Sequence, residues 1–222
     1  MGTLMTNKSR ELIFKRLENK NRTHKENINA RAVIAKHISS HSRGPTPDFS
    51  GSADKQFITK ITHAEATVTR VSTYSELPAA ISDYLLSNDI DKKLVVASTK
   101  ELSQLEWQKD ISTEYRIANT TDSTSLCHAY AGIAETGSLV LCSSKETPVS
   151  LNFLPDNCIC VLELKRIYRN IEDIWDLIRK ELKETPRTIN FITGPSRTAD
   201  VEQTIQLGAH GPRRLHVIII ES

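Results

Sequence analysis

The pattern that most constrains this chain is an alternation of short apolar runs with amphipathic stretches, which begins near residue 68 and continues to residue 220. Lys93–Ala97 and Cys158–Leu164 are largely apolar over the length of a strand, as expected for strands that are buried on both faces. Ile171–Leu182 instead places its large apolar residues on one helical face. Strands that alternate with helices are typical of a parallel sheet. The sequence therefore predicts an α/β fold with a mostly parallel sheet flanked by helices.

The remaining elements of this fold follow from the same patterns. β-Branched and aromatic residues predict strands, amphipathic spacing predicts helices, and Gly and Pro mark their ends. Further strands are predicted at Ala66–Val71, Arg116–Asn119, Thr188–Thr193 and Leu215–Ile220, with another apolar strand after Gly137. Further helices are predicted at Lys55–Ala64, Leu77–Ser87 and Thr198–Leu207, with a brief helix or loop at Leu102–Trp107.

The first part of the chain has a different composition. Apolar residues recur at near-helical spacing in Lys8–Asn19 and again in Ile28–Ile38, which predicts two N-terminal helices. Ser39–Asp54 is rich in Ser, Gly and Pro, so we expect a surface linker there. The sequence thus predicts a helical extension and linker over residues 1–54 and an α/β domain over residues 55–222.

Composition excludes several classes of function. The 29 basic and 27 acidic residues are closely mixed and give a net charge of +2, so nucleic acid is not an expected partner. No apolar segment reaches the roughly 20 residues of a membrane span, and the N-terminus lacks a signal-peptide core, so we expect a cytoplasmic protein. The cysteines lack the spacing of a zinc site, which predicts buried thiols and no bound metal at Cys127, Cys142, Cys158 and Cys160.

A candidate anion site lies near the C-terminus, where the predicted strand Thr188–Thr193 stops at a Gly-Pro pair and a helix is predicted to follow. The exposed N–H groups of a helix start attract anions. The ligand-binding residues predicted there are Gly194, Ser196, Arg197 and Thr198. A guanidinium at this point suits a carboxylate or a phosphate. Its alternative role is an ion pair with Asp200 or another neighbour.

Three motifs occur in order along the second half of the chain. They are Gly132–Leu141, with the sequence GIAETGSLVL, then Leu154–Asp156, and finally Ile192–Glu202 with its downstream Gly208–Pro212. Together they resemble the lactate-utilisation protein C family, also called the LUD-domain family. The resemblance covers roughly residues 60–222. It implies a fold like that of the glucosamine-6-phosphate isomerase, ribose-5-phosphate isomerase and CoA-transferase superfamily, in agreement with the alternation of strands and helices.

The resemblance also implies a role in a three-component system that converts L-lactate to pyruvate, whose other two components carry iron–sulfur clusters. This chain lacks their cysteine motifs and has no flavin or nicotinamide motif, so we expect no cofactor. The family commonly has a histidine where this chain has Cys158, so no role of that histidine carries over. We expect a cluster-free, organisational or anion-binding component with iron–sulfur subunits as partners. Regulatory ligand sensing is a further interpretation.

The Gly132–Leu141 motif presents Glu135 beside a tight turn whose residues Thr136, Gly137 and Ser138 are further candidates for anion binding. The carboxylate is either a structural acceptor for the turn or a nucleophile, since related CoA-transferases use a glutamate followed closely by glycine. The second option defines an alternative function, a free-standing enzyme that acts on acyl-CoA or a sugar phosphate.

Histidines supply the remaining candidates. His210 lies between turn-forming residues, where it either titrates as a general acid or base or serves as a hydrogen-bonded scaffold residue. His128 and His216 are weaker candidates, and His216 is expected to be a satisfied interior or interface group because it lies in an apolar strand.

Overall fold

A computed structural model of the protein describes residues 9–17, 28–199, 205–207 and 211–222. The chain divides into two compact units, residues 1–45 and 46–222. The sequence predicts that the α/β domain begins after residue 54, and this boundary stays a prediction.

The first unit contains the two helices that the sequence predicts, α1 (residues 9–17) and α2 (Ile28–Ser40). The large apolar side chains that are described in these helices are exposed, and Phe14 and Ile38 expose 53% and 66% of their surface. Across the ranges that the structure describes, no helix has both the length and the apolar character needed to cross a membrane.

The second unit alternates strands and helices along the chain. Its helices are α3 (Ala53–His63), α4 (Leu77–Ser87), α5 (Lys100–Ser103), α6 (Ser150–Phe153) and α7 (Ile171–Glu181). Its strands are β1 (Thr67–Val71), β2 (Lys93–Val96), β3 (Ser112–Tyr115), β4 (Thr124–His128), β5 (Ala131–Ile133), β6 (Ser138–Cys142), β7 (Asn157–Glu163), β8 (Ile167–Tyr168), β9 (Ile189–Ile192), β10 (Arg197–Ala199), β11 (Ile205–Leu207) and β12 (Arg214–Ile220).

Six of these strands form one parallel sheet in the order β1-β12-β7-β4-β2-β3. The central strands β7 and β12 are buried along almost their whole length, because helices and loops cover both faces. Helices α3 and α4 contribute Phe57, Ile61, Ile81 and Leu85 to the same core, each with no exposed surface. The α/β fold with a mostly parallel sheet that the sequence predicts is therefore confirmed.

A second sheet, in the order β8-β5-β6-β9, packs against α7. Its β5–β6 and β6–β9 pairs are antiparallel, and its β5–β8 pair is parallel. Helix α7 begins with a capping box, in which Asn170 and Asp173 exchange hydrogen bonds with each other's backbone N–H groups. The strand predicted at Thr188–Thr193 thus exists as β9, but it lies in this second sheet and not beside the parallel strands.

Two predicted elements are wrong. Arg116–Asn119 is not a strand, because the edge position beside β2 is taken by the preceding residues of β3, starting with the pair Lys93 and Ser112. Arg116 instead holds a turn through two hydrogen bonds of 2.7 Å to the Asp122 carboxylate. The helix predicted at Thr198–Leu207 is also absent, because its described residues form an antiparallel pair between β10 and β11.

Candidate ligand-binding site

Two neighbouring strands of the parallel sheet have connections that run in opposite directions. From β2 the chain passes to β3 on one side, whereas from β4 it passes towards β7 on the other. Such a reversal leaves a crevice beyond the carboxyl ends of the two strands, and ligands of open α/β sheets bind in this crevice. The ends of β2 and β4 are therefore where this fold favours a ligand site.

A cleft of about 660 Å³ opens at these strand ends. One wall includes Thr99 and Glu101, which follow β2, together with His128 at the end of β4 and Glu163 at the end of β7. Further lining residues come from the end of β6, including Cys142, and from the segment that follows α7. Its volume lies in the range of pockets that bind small molecules.

His128 is the centre of a hydrogen-bonded chain in this cleft. Its Nε2 lies 3.2 Å from the Tyr74 hydroxyl, and that hydroxyl donates to Glu163 Oε1 at 3.0 Å. On the other side of the ring, Nδ1 lies 3.8 Å from Glu101 Oε2. The imidazole is thus oriented by a phenol on one side and faces a carboxylate on the other.

Burial controls the protonation of this chain. Desolvation lowers the pKa of His128, although the nearby Glu101 and Glu163 carboxylates act in the opposite direction. Desolvation also raises the pKa of Tyr74, and the adjacent Glu163 adds to the rise. At neutral pH the imidazole is therefore neutral and the phenol keeps its proton, so the chain can accept and donate protons without holding a fixed positive charge.

Two basic side chains line the same cleft, and they differ in availability. Arg166 donates to both oxygens of Glu181 at 2.9 to 3.0 Å, donates from Nε to the Tyr130 carbonyl, and stacks over the Tyr130 ring. Lys165 makes an ion pair of 3.3 Å with Glu163, and 65% of its side-chain surface is exposed. Lys165 is therefore the more accessible cation for an acidic ligand.

The residues that the sequence predicts as an anion site come together elsewhere, against the last turn of α3. A Cβ added to Gly137, whose φ is +70°, would lie 2.5 Å from Lys60 Cβ, and a Cβ on Gly194 would lie 2.4 Å from the Ala64 carbonyl oxygen. Both glycines therefore allow their turns to approach the backbone at the end of α3. The two predicted turns therefore both pack against the end of α3.

Hydroxyl groups join these turns. The Thr136 and Ser138 hydroxyls lie 2.7 Å apart, and the Ser138 and Thr193 hydroxyls lie 2.8 Å apart. The contact forms because β6 pairs with β9 immediately beside it. The hydroxyls of Thr136 and Ser138 thus take part in an internal network that holds the two motifs together.

The segment around Arg197, where the sequence predicts an anion site at a helix N-terminus, has a different geometry from the one predicted. The Ser196 N–H donates to the Pro212 carbonyl at 2.7 Å, and the Arg197 guanidinium lies 3.1 Å from Glu65 Oε2. The backbone of Thr198 belongs to β10, whereas its side chain is not part of what the structure describes. Because β10 is extended, none of the described residues forms a helix N-terminus beside the guanidinium, and Arg197 makes an ion pair with a neighbour, which is the alternative role.

Glu135 lies at the amino end of α7 and not in the cleft. Its Oε2 accepts a hydrogen bond of 2.7 Å from Asn170 Nδ2, which also donates to the Pro47 carbonyl. The guanidinium carbon of the neighbouring Arg169 lies 4.2 Å from the centre of the Phe49 ring. The carboxylate therefore takes part in fixing the segment before α3. His210, the other predicted catalytic residue, lies outside the described residues.

The cysteines are free thiols, and Cys127, Cys158 and Cys160 are buried. The sulfur atoms of Cys127 and Cys158 lie 3.7 Å apart within the core. Cys142 is half-buried at the cleft, where desolvation raises its pKa to about 11. Within the described ranges, no group of three His, Cys, Asp or Glu side chains is arranged to hold a metal ion.

Sequence reasoning missed most of the side chains around His128. Tyr74, Glu101 and Glu163 were not candidates, and His128 ranked behind His210. A signal was present, because His128 and Glu163 end the strands β4 and β7 and Glu101 closely follows β2. Finding the site required the order of the strands in the sheet, which local patterns do not provide.

The parallel sheet, with a cleft beyond the carboxyl ends of its strands, defines an open-sheet α/β protein. The LUD domain model matches residues 55–220 of this chain. The chain therefore belongs to the LUD domain family, which confirms the resemblance inferred from the three motifs.

Known relatives share sequence with this domain. Lactate utilization protein C of Bacillus subtilis is 30% identical over 118 residues, which cover 52% of this chain and 49% of that protein. The uncharacterized protein NMB1437 of Neisseria meningitidis is 30% identical over 54% of this chain and 51% of its own length. The uncharacterized protein YkgG of Escherichia coli is 26% identical over 71% of this chain and 76% of its own length. The matched region thus spans about half the length of the first two relatives.

The fold also matches a solved structure. The crystal structure of a DUF162 family protein from Deinococcus radiodurans superposes with a TM-score of 0.59 and covers 77% of this chain and 99% of the other. The two sequences are 22% identical, so this likeness supports the fold alone.

Proposed function

We propose that this protein is a cytoplasmic component of a lactate-utilisation system, in which it binds a small organic acid. Membership of the LUD domain family supports this role, as does the similarity to several relatives named lactate utilization protein C. Because those matches span half or less of each relative, the system, its substrate and its partners all belong to the proposal.

The observation that carries the proposal is the cleft at the ends of β2 and β4. It combines an accessible cation, Lys165, with a neutral imidazole, His128, in a space of about 660 Å³. A cation attracts the carboxylate of lactate or pyruvate, and the imidazole can exchange a proton with the neighbouring oxygen. The volume exceeds what a three-carbon acid fills, which leaves room for a group from a partner subunit.

We also propose that iron–sulfur subunits carry the electrons of the reaction. The side chains around His128 are a phenol and carboxylates, and the cleft also contains the Lys165 ammonium group; such groups are suited to holding and moving protons. The family resemblance supplies the expectation of iron–sulfur partners. In this proposal the chain orients the acid and manages its protons while the partners take its electrons.

Growth on L-lactate tests the role. A strain without this gene should fail to grow on L-lactate and should grow normally on glucose. The wild-type gene and Glu106→Gln, an exposed control beside the cleft's α5 segment, should restore growth, whereas His128→Gln should not restore the full rate. Normal growth of the deletion strain on L-lactate would refute the role.

Purification tests the partners. A tagged full-length chain isolated anaerobically should retain proteins with the visible absorption of iron–sulfur clusters. Isolation of the chain without such proteins, under conditions where the strain is growing on lactate, would remove the partners from the proposal while leaving the binding role intact.

The geometry gives no support to the alternative of an acyl-CoA or sugar-phosphate enzyme with Glu135 as nucleophile. The carboxylate is bound by Asn170, and it does not line the cleft around His128. The alternative stays a prediction, and turnover of acyl-CoA or sugar-phosphate substrates that is lost in Glu135→Gln would establish it.

A further inference from the structure

The hydrogen bonds around His128 determine which ring nitrogen carries the proton. Tyr74 has one hydroxyl proton, and it is donated to Glu163 Oε1 at 3.0 Å. The Tyr74 oxygen therefore acts as an acceptor towards His128 Nε2, 3.2 Å away. A neutral imidazole has a single N–H, so this contact places the proton on Nε2 and leaves Nδ1 as a bare acceptor.

The bare Nδ1 faces a second acceptor across a short gap. Glu101 Oε2 lies 3.8 Å from it, which is too far for a hydrogen bond and close enough for both atoms to contact one donor. Neither atom can satisfy the other while the imidazole is neutral and the carboxylate is ionised. A hydroxyl group at this point would donate to one of the two acceptors and remove the mismatch.

A cation lines the same cleft. Lys165 uses one of its three donors on Glu163 at 3.3 Å, and its largely exposed ammonium group leaves the others for a ligand. Arg166 is less available because both of its terminal nitrogens bind Glu181. The cleft therefore presents one cationic anchor and one pair of acceptors.

We propose that the cleft selects a short 2-hydroxy carboxylate over the corresponding 2-oxo carboxylate. Lys165 binds the carboxylate, and the acceptor pair formed by His128 Nδ1 and Glu101 Oε2 receives the hydroxyl proton. A 2-oxo group has no proton to donate, and its oxygen would add a third acceptor to the pair. This inference rests on the proposed function for its choice of a hydroxy acid.

Titration of the full-length protein with three acids of similar size tests this selectivity. L-lactate supplies a hydroxyl, pyruvate supplies a carbonyl oxygen, and propionate supplies neither. We expect L-lactate to bind about tenfold more tightly than pyruvate or propionate, because a hydrogen bond to a charged group is worth roughly that factor or more. Amide chemical shifts measured by NMR can follow binding at the millimolar level.

Variants of the acceptor pair sharpen the test. Glu101→Gln introduces an amide that can donate to His128 Nδ1, so the preference for L-lactate over pyruvate should fall to about twofold or less. His128→Gln should weaken L-lactate more than pyruvate. Glu106→Gln is the matched control, since this neighbouring exposed glutamate does not line the cleft, and it should retain the wild-type preference.

Several outcomes would overturn the inference. One is equal affinity for L-lactate and pyruvate in the wild type. Another is an unchanged preference in Glu101→Gln, a substitution at an exposed position that should leave folding intact. The proposed function fails separately, when the deletion strain grows on L-lactate. A strain that needs the gene for growth while its protein shows no preference for L-lactate would retain the function and lose this inference.

Discussion

At the residue scale, burial lowers the pKa of two histidines that lie in different surroundings. His128 faces the cleft, with Glu101, Glu163, Arg166 and the Tyr74 hydroxyl around it. His216 is 2% exposed in β12, stacks on Tyr84 at 3.9 Å, and contacts the Thr67 hydroxyl through Nδ1 at 2.8 Å. The first can exchange protons with a ligand, whereas the second can titrate only at a cost to the fold.

His216 should make the protein sensitive to acid. Its pKa falls from 6.5 to about 4 on folding because it is desolvated, so the unfolded chain binds the proton more tightly between these values. The free energy of unfolding should therefore be fully retained above pH 6.5 and should fall by up to about 3 kcal/mol as the pH drops towards 4.

Urea unfolding at a series of pH values measures this loss. His216→Phe keeps a ring that can stack on Tyr84 and removes the titrating group, so its stability should depend less steeply on pH than that of the wild type. Identical slopes between pH 6.5 and 4 in the two proteins would contradict the assignment.

His128 should make ligand binding weaker in acid, just as His216 should make the fold less stable in acid. Burial lowers the pKa of His128, so the imidazole is neutral at pH 7 and takes up a proton only at a pH below the ordinary pKa of histidine. A protonated Nδ1 would pair with Glu101 and occupy the place of the ligand hydroxyl. Affinity for L-lactate should then fall by about tenfold per pH unit below that pKa, as measured by calorimetry. Affinity that stays constant or rises on acidification would contradict this.

At the scale of elements, the first and the last of the three family motifs each place a tight turn against the end of α3, at Gly137 and at Gly194. An alanine at Gly137 would bring its Cβ against Lys60 Cβ and the Ile61 backbone nitrogen, at a φ of +70°. Gly51→Ala is the matched control, because Gly51 also has a positive φ of +99° and has no atom within 4 Å of the added Cβ.

We therefore expect Gly137→Ala to lower the free energy of unfolding by about 2–4 kcal/mol, whereas Gly51→Ala should lower it by about 1 kcal/mol. The difference between the two losses of unfolding free energy measures the effect of the close approach to α3, separately from the cost of a positive φ. Urea denaturation gives both values. Equal losses would show that packing on α3 contributes nothing.

Local patterns predicted the elements that have a strong hydrophobic signal. The buried strands β7 and β12 and the helix α7 occur close to their predicted positions, because burial dictates their composition over several residues. The helix predicted after Arg197 was wrong, since those of its residues that the structure describes pair as β10 and β11. Capping residues and a Gly-Pro turn indicated where an element begins, but its type depended on whether the two short segments β10 and β11 pair with each other.

At the scale of the whole molecule, the parallel sheet could be predicted and the second sheet could not. β9 was predicted as a strand, yet its antiparallel partner β6 is a non-local choice that only tertiary packing determines. The same holds for the cleft, because His128 and Glu101 meet only when β2 and β4 become neighbours. The predicted anion site around Arg197 rested on local chemistry alone, and there the guanidinium pairs with Glu65.

Ligand binding at the strand ends should stabilise the whole second unit. A ligand that binds only the folded state adds about 2.7 kcal/mol at a concentration one hundred times its dissociation constant. L-lactate should therefore raise the melting temperature of the full-length protein, and the rise should shrink in His128→Gln. A melting temperature that does not respond to saturating L-lactate would argue against a folded-state site.

The central claim is that the functional site lies at the carboxyl ends of β2, β4 and β7. The most direct measurement is a map of amide chemical-shift changes in isotope-labelled, full-length protein titrated with L-lactate. We predict saturable changes that concentrate at Thr99–Glu101, His128–Tyr130 and Glu163–Arg166. Saturable changes confined to Thr193–Ala199, around Arg197, would contradict the claim and would restore the anion site that the sequence alone predicts.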